Sequence, residues 1–242
     1  MGFVFVISAY FRGGLKKALF VAVTAALVVF TLVAAHNAGL TLPKTAQRAL
    51  SFLPGNWDMD AKDDAEGSSN WRFYMWEVVL STDTYIHNKL LGDGFGFTSE
   101  ELQIMEQAQS GGTGFIGAAE QESFLIQGAY HSGPLSAIRY VGAVGLVFYL
   151  TLLVVAAIYA WKLIRRCQGT DYFPLALFVG IPAVYEPLQY TLIFGGFDSG
   201  FPTTLFVCGM LKLISKGFDR HRPQPLSATV DAQSLAKVQV AT

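Results

Sequence analysis

The sequence has little charge. Asp, Glu, Lys and Arg make up 14% of its 242 residues, whereas about a quarter of the residues in a soluble domain are charged. The 17 basic residues are balanced by 18 acidic ones, so there is no positive excess to bind nucleic acid. The shortage of charge also argues against extended disorder and coiled coils. With 52% hydrophobic residues and a mean hydropathy of +0.39, the chain is either a membrane protein or an unusually apolar soluble core.

Cysteine and histidine are scarce as well. The two cysteines, Cys167 and Cys208, lie in or near predicted membrane helices, so the sequence indicates no disulfide framework. The histidines are scattered, and no Cys/His spacing fits zinc. We therefore predict neither a metal site nor a cofactor. The four histidines are His36, His87, His131 and His221.

The hydrophobic residues gather into runs. A membrane span needs about 20 largely apolar residues, and we predict four transmembrane helices, of which the fourth is short and the third contains Glu186 and three prolines. Residues 1–17 are apolar at first but too short to cross, so they form either an interfacial segment or the stump of a further helix. The four predicted helices are 18–35, 139–161, 172–194 and 201–215.

The basic residues predict the orientation, because cytoplasmic loops are enriched in Lys and Arg. They precede the first span and follow the second and the fourth, which places the N-terminal segment 1–17, the loop 162–171 and a disordered tail 216–242 in the cytoplasm. The segment 36–138 and the turn 195–200 then face the other side. The clusters are Arg12, Lys16 and Lys17; Lys162, Arg165 and Arg166; and Lys212, Lys216, Arg220 and Arg222.

The large outer segment carries the candidate functional residues, since loops of this length usually carry function. We predict a solvated, flexible acidic stretch from Asp58 to Ser69 and then a helix that begins at Ser69 or Asn70. Arg72 lies in the first turn of that helix. It is either a snorkelling side chain that covers Trp76 or a guanidinium that clamps a phosphate. The two apolar stripes of the helix are Trp71, Met75 and Val78, and Trp76 and Val79.

Glycines and a capping box follow that helix. The glycine-rich turn at 91–97 allows either a close backbone approach or a tight turn onto the membrane surface. Thr98-Ser-Glu-Glu101 is a capping box that predicts a helix to about Gln109. Gly112-Thr-Gly-Phe-Ile-Gly117 matches the dinucleotide-binding pattern, but no strand precedes it, so we predict a flexible loop there.

His131 precedes the second span. Pro134 suits the first turn of that helix, so His131 is expected beside a helix N-terminus, which favours anions. It is either a simple interfacial polar residue or a general base. Arg139 lies roughly 12 Å farther along the helix, just inside the bilayer edge.

The order of these motifs resembles the large periplasmic loop of the O-antigen ligase/polymerase family. The resemblance covers about residues 12–194. Compared with the family pattern, Ser132 replaces the usual Asn after the histidine, and Arg139 lies where many members have an acid. The matching residues are Arg48-Ala-Leu-Ser-Phe-Leu-Pro54, Trp71-Arg72-x3-Trp76, Leu91-Gly-Asp-Gly-Phe-Gly96, His131 and the Gly142-x-x-Gly145 pair.

The resemblance implies an all-α, polytopic membrane glycosyltransferase of the GT-C type in the bacterial inner membrane, with its large helical loop in the periplasm. Such enzymes need no metal and move a glycan from an undecaprenyl-diphosphate carrier to a lipid or glycan acceptor, as in lipopolysaccharide and cell-envelope polysaccharide synthesis. It implies that Arg72 binds the donor diphosphate and that His131 is the base. Arg139 is predicted to bind the diphosphate as well, because of its position near His131 and the helix N-terminus. Membrane lipids, and no nucleic acid, are the other expected partners.

Three alternatives stay open. The chain supplies fewer spans than members of that family, so we expect a C-terminal fragment, a gene model with a late start or a degenerate copy, and its catalytic competence without the missing N-terminal helices is open. It is otherwise a non-catalytic membrane subunit or interaction protein with a periplasmic binding loop, in which Glu186 serves packing or a hinge. Part of a transporter is a weaker third option, because an acid inside a membrane span is a functional candidate.

Overall fold

The structure is a computed structural model that describes residues 2–110, 123, 125–126, 128, 130 and 132–221. Helices make up 78% of these described residues, and no strand occurs among them. The all-helical prediction is therefore confirmed. The helices are α1 (Gly2–Asn37), α2 (Lys44–Leu50), α3 (Met59–Ser81), α4 (Ser99–Ser110), α5 (Gly133–Cys167), α6 (Phe173–Leu188), a π-helix (Gln189–Ile193) and α7 (Phe197–His221).

Two helices, α1 and α5, are long and apolar enough to cross a membrane. They contain the first two predicted spans. Helix α6 has 16 residues, fewer than the ~20 that a span needs. The charged residues of α7 lie near its two ends, and the uncharged stretch between them, 199–211, is also shorter than a span. The prediction of four spans stays a prediction at this point.

Helix α1 is broken at Gly13 and Gly14, where Gly14 has a φ of 70° that favours glycine. Residues 2–12 pack against α5, α6 and α7, and Phe11 lies in their shared core. Residues 15–37 continue as a second helical segment whose apolar side chains are mostly exposed. The segment 1–17, predicted as cytoplasmic or interfacial, thus contributes a short helix to the bundle.

Helices α5, α6 and α7 form the bundle itself. Close approach of α5 and α6 depends on Gly180, because a Cβ there would lie 2.8 Å from the Ile164 side chain. The core that they enclose with Phe11 contains no buried charge. Its other members are Ala160, Leu163, Ile164, Cys167, Ala176, Leu177, Ile181, Ala183, Leu211, Ile214 and Phe218.

Helix α3 begins about ten residues earlier than predicted. Asp58 is its N-cap and accepts a hydrogen bond from the Asp60 N–H at 3.0 Å. The acidic residues that follow are favourable in the first turns of a helix, because they interact with its positive end. Gln47 holds the start in place by accepting from the Asp58 N–H at 2.9 Å. The prediction of a flexible acidic stretch and of a helix start at Ser69 or Asn70 was therefore wrong.

The outer segment packs on the beginning of α5 through a second core. Met75 and Val79, one from each predicted stripe of α3, are fully buried there. The face that is buried combines the two stripes, since these residues lie one turn apart. The other members are Ile86, Leu125, Tyr130 and Leu135.

Helix α5 is interrupted at Gly142, which has a φ of 69°. The glycine-rich loop 88–94 lies directly against this interruption. A Cβ on Gly142 would collide with the Leu90 carbonyl, and one on Gly92 would lie 2.5 Å from the Gly142 nitrogen. The close backbone approach, one of the two readings of the glycine-rich turn, is the one observed.

The loop also satisfies the backbone groups that the interruption leaves without helical partners. Four hydrogen bonds of 2.8–3.2 Å do so, two in each direction. The outer segment and α5 are thereby joined main chain to main chain. The bonds run from Asp93 N to Arg139 O, from Gly94 N to Tyr140 O, from Ala143 N to Lys89 O and from Val144 N to Leu90 O.

We predict that Gly142→Ala lowers the free energy of unfolding by about 2 kcal/mol or more, because a side chain in the left-handed region is strained and this one also meets Leu90. Thermal unfolding of the purified chain in detergent measures the change. Gly209→Ala is the matched control, since its Cβ meets nothing within 4 Å. Equal melting of Gly142→Ala and wild type would contradict the junction described here.

Candidate functional site

Arg139 lies at the centre of the junction between the outer segment and α5. Helix α5 begins after its N-cap Ser132 and has Pro134 in its first turn, as predicted. Arg139 follows in the second turn, three residues before the interruption, and its side chain is only 2% exposed. Arg139, one of the two arginines predicted to bind the diphosphate, is thus buried within the protein.

Two carboxylates face the Arg139 guanidinium. Nη1 lies 3.4 Å from Asp93 Oδ2, and Nη2 lies 3.4 Å from Glu101 Oε1. Both distances are longer than the 2.7–2.9 Å typical of charge-assisted hydrogen bonds. The guanidinium is electrostatically paired but incompletely hydrogen-bonded.

Three polar atoms at this site have no hydrogen-bond partner. They are Arg139 Nε, Arg139 Nη1 and the Tyr130 hydroxyl oxygen, and they are the buried side-chain atoms of this kind in the part of the chain that the structure describes. Burial raises the pKa of the Tyr130 phenol, which therefore stays neutral and able to donate. Buried donors are usually satisfied, so the site has unused capacity to bind an acceptor.

Asp93 organises the loop that presents it. Its carboxylate accepts hydrogen bonds from the backbone N–H groups of His87 and Asn88, each at 2.8 Å. Burial by itself raises the pKa of Asp93, but these hydrogen bonds and the charge of Arg139 outweigh it. The pKa of this carboxyl consequently lies below its usual value, and Asp93 is ionised at neutral pH.

Glu101 has two roles at once. The predicted capping box is confirmed: Thr98 N donates to Glu101 Oε2 at 2.6 Å, and Glu101 N donates to Thr98 Oγ1 at 3.2 Å. Helix α4 runs to Ser110, close to its predicted end. The second oxygen of Glu101 faces Arg139, so the cap of α4 is tied to α5.

Aromatic and hydroxyl groups attach the junction to the rest of the bundle. The ring of Phe95, the residue after the glycine-rich loop, stacks on Tyr140, with 4.6 Å between centroids. Ser136 Oγ accepts a hydrogen bond from Phe197 N at the start of α7. Tyr190, in the π-helix, donates to the Gly133 carbonyl at 2.6 Å. The first turns of α5 are therefore held from three sides.

The side chains of the other two predicted site residues, Arg72 and His131, lie outside what the structure describes. Arg72 lies in α3, but its side chain is outside the described residues. His131 is outside them altogether, as is the predicted loop at 112–117. The described residue before His131 is the buried Tyr130. The roles of Arg72 and His131 stay predictions.

The sequence reasoning missed Asp93, Glu101 and Tyr130 as members of this site. A signal existed for Asp93, since an aspartate between two glycines suits a turn in which its side chain caps backbone N–H groups. For Glu101, the capping-box pattern predicted the contact of Oε2 with Thr98 N but not the contact of Oε1 with Arg139.

Glu186 lines a cavity of about 70 Å³ between α5, α6 and α7. Pro182, Thr203 and Thr204 also line it, and the π-helix follows three residues after Glu186. A proline inside a helix and a π-helix are both features of helix kinks. The role of Glu186 in packing or a hinge stays a prediction.

We predict that Asp93→Asn lowers the free energy of unfolding at pH 7 by about 1.5–3 kcal/mol, the range for hydrogen bonds to a charged group. Because the pKa of Asp93 is lowered in the folded state, its contribution is complete above the usual carboxyl pKa, about 4, and disappears as the pH falls through the lowered value. Chemical unfolding at several pH values measures both effects.

The control for that prediction is Asp83→Asn, which removes an exposed carboxylate paired only with Lys89. It should change stability little, since exposed pairs contribute little. Identical unfolding of Asp93→Asn and wild type at pH 7 would show that Asp93 does not hold the loop.

The described residues contain no group of three or more His, Cys, Asp or Glu side chains that could hold a metal ion. The independence from metals and cofactors remains a prediction. No family model, curated protein or solved structure matches the chain.

Proposed function

We propose that the chain takes part in transferring a glycan from an undecaprenyl-diphosphate carrier to an acceptor hydroxyl, as an O-antigen ligase or polymerase does. The observation that carries the proposal is Arg139, a buried cation with two unpartnered N–H groups at one end of a candidate membrane helix. A guanidinium in such a place can stabilise charge on a diphosphate leaving group without a metal.

The charge at the junction limits what Arg139 does alone. One guanidinium faces two carboxylates, so the local charge is negative and repels a diphosphate. A second cation is needed, and in this proposal Arg72 supplies it. Arg139 then contributes its free N–H groups and, through Asp93 and Glu101, holds the glycine-rich loop and α4 around the donor.

His131 acts as the base. The acceptor oxygen attacks the anomeric carbon of the donor sugar, the bond from that carbon to the diphosphate oxygen breaks, and the acceptor proton passes to the imidazole. His131 immediately precedes the N-cap of α5, and the positive end of that helix favours the anionic leaving group. The proposal thus assigns proton transfer and charge stabilisation to neighbouring groups.

The proposal includes four membrane spans with the outer segment in the periplasm. Helix α6 and the π-helix together cover 173–193, about the length that a span needs. Contacts support a common cytoplasmic end for the basic clusters. Arg165 Nη2 donates to Tyr10 Oη at 2.9 Å, and Arg166 pairs with Asp219 at 2.6 Å. The positive-inside rule favours this arrangement.

A second candidate, a non-catalytic membrane subunit, is favoured by the same ion pairs. If Arg139 only neutralises Asp93 and Glu101, the junction serves to fix the outer segment on α5 as a rigid platform for a partner. Arg72 and His131 are then dispensable for activity.

We predict that Arg72→Ala and His131→Ala each lower glycan transfer by about 100-fold or more, since each removes a group that acts in the transition state. The measurement is complementation of a strain that lacks its O-antigen ligase or polymerase, with transferred glycan quantified on gels. Lys62→Ala, an exposed lysine of the same helix α3 as Arg72, is the matched control and should rescue fully.

Equal melting temperatures of the purified variants establish that any loss is not a folding defect. Full rescue by both Arg72→Ala and His131→Ala would rule out the proposed roles and leave the non-catalytic subunit. The test should include the chain extended by any in-frame upstream sequence, because its resemblance is to a C-terminal portion.

A further inference from the structure

The break in α1 opens a pocket at the end of the bundle opposite the outer segment. The residues that line it include Gly13 and Gly14 at the break and the polar residues Arg12, Arg165 and Gln168. Its volume is about 580 Å³, enough for a phospholipid headgroup. The site lies at the other end of α5 from Arg139, so it is separate from the candidate functional site.

The basic residues in and beside this pocket have no acidic partner in the part of the chain that the structure describes. The nearest basic neighbour, Arg166, is paired with Asp219. Arg12, Lys16, Lys17 and Arg165, in contrast, form no ion pair with a carboxylate among the described residues. The pocket is therefore positively charged on balance and is suited to an anion.

Two of the side chains are held in place, which distinguishes the pocket from a row of mobile surface lysines. Arg165 donates to the Tyr10 hydroxyl at 2.9 Å, and its guanidinium lies over the Trp161 ring at 5.3 Å. Gln168 Nε2 donates to the Phe11 carbonyl at 2.9 Å, a carbonyl that lies just before the break. Lys17 folds back so that its aliphatic carbons contact Gly13.

The helix beyond the break provides the apolar half of the site. Leu15, Leu19, Phe20 and Val23 are exposed, each by half or more except Val23 at 49%. A ligand with a phosphate in the pocket and acyl chains along this surface would match both the positive charge of the pocket and the apolar side chains beyond it. Free phosphate would use only the polar part.

We propose that the pocket lined by Arg12, Arg165, Gly13 and Gly14, with Lys17 beside it at Gly13, binds the phosphate of an anionic phospholipid, with the acyl chains along residues 15–37. Basic pockets between membrane helices on the cytoplasmic side are known to bind the headgroups of anionic lipids. The inference rests on the membrane orientation in the proposed function and not on glycan transfer.

The test is native mass spectrometry of the full chain, purified in detergent and titrated with phosphatidylglycerol or with phosphatidylcholine. We expect phosphatidylglycerol to bind about 10- to 30-fold more tightly. Arg12→Gln/Lys17→Gln should abolish this preference. Both side chains belong to exposed residues, so the variant is expected to fold, and an unchanged melting temperature would establish it.

Lys216→Gln/Arg220→Gln is the matched control. It removes the same charge from exposed residues of α7, near the same end of the bundle, and should keep the preference. Equal loss in both variants would overturn the proposal, since diffuse surface charge would then explain binding. Equal affinity for the two lipids, or displacement of phosphatidylglycerol by equimolar glycerol phosphate, would overturn it as well. This experiment does not measure glycan transfer. A negative result in the complementation test of the proposed function would therefore leave the lipid-binding proposal unaffected.

Discussion

The interruption of α5 at Gly142, and the loop that fills it, is the constraint on which the rest of the outer half depends. Helix α5 is long and apolar enough to cross a membrane, and a helix that does so must have its backbone groups satisfied within the protein, because lipid offers no partners. The interruption frees two carbonyls and two N–H groups, and loop 88–94 pairs with all four. This pairing requires glycine at positions 92 and 142, where the two main chains come too close for any side chain.

The electrostatics of the junction follow from that backbone geometry. The loop brings Asp93 to Arg139 as a consequence of the hydrogen bond from Asp93 N to Arg139 O. The turn that follows places the capping box of α4 so that Glu101 reaches the same guanidinium. Arg139 is thus enclosed by groups whose positions the main chain determines. The price is incomplete hydrogen bonding of the guanidinium and of Tyr130, and such unused capacity at a buried site is more typical of a binding site than of a core.

Sequence patterns predicted the local features well and the tertiary ones poorly. The capping box at Thr98 and the proline in the first turn of α5 depend on neighbouring residues, and both were confirmed. The predicted start of α3 was wrong because Gln47 fixes Asp58 as the N-cap. Gln47 lies eleven residues before Asp58 in the chain, and nothing in the sequence identifies the two as partners. The glycines at 92 and 142 were noted separately, but nothing in either motif says that they meet. The ion pairs of Arg139 depend on that meeting, so they could not be predicted from the sequence.

The breaks in α5 at Gly142 and in α1 at Gly13 and Gly14 differ in which groups cover the exposed backbone. We infer different roles for the two breaks from this difference. At Gly142 a loop of the same chain pairs with every freed group, so the break is closed and serves to join two parts of the protein. At Gly13 and Gly14 the side chain of Gln168 takes up the Phe11 carbonyl, and the glycine backbone still lines an open, cationic pocket. An interruption that no other described residue fills, bordered by cations without ion pairs in that part of the chain and followed by exposed apolar residues, suits an amphipathic anion. An anionic phospholipid, the ligand proposed for this pocket, has that chemistry.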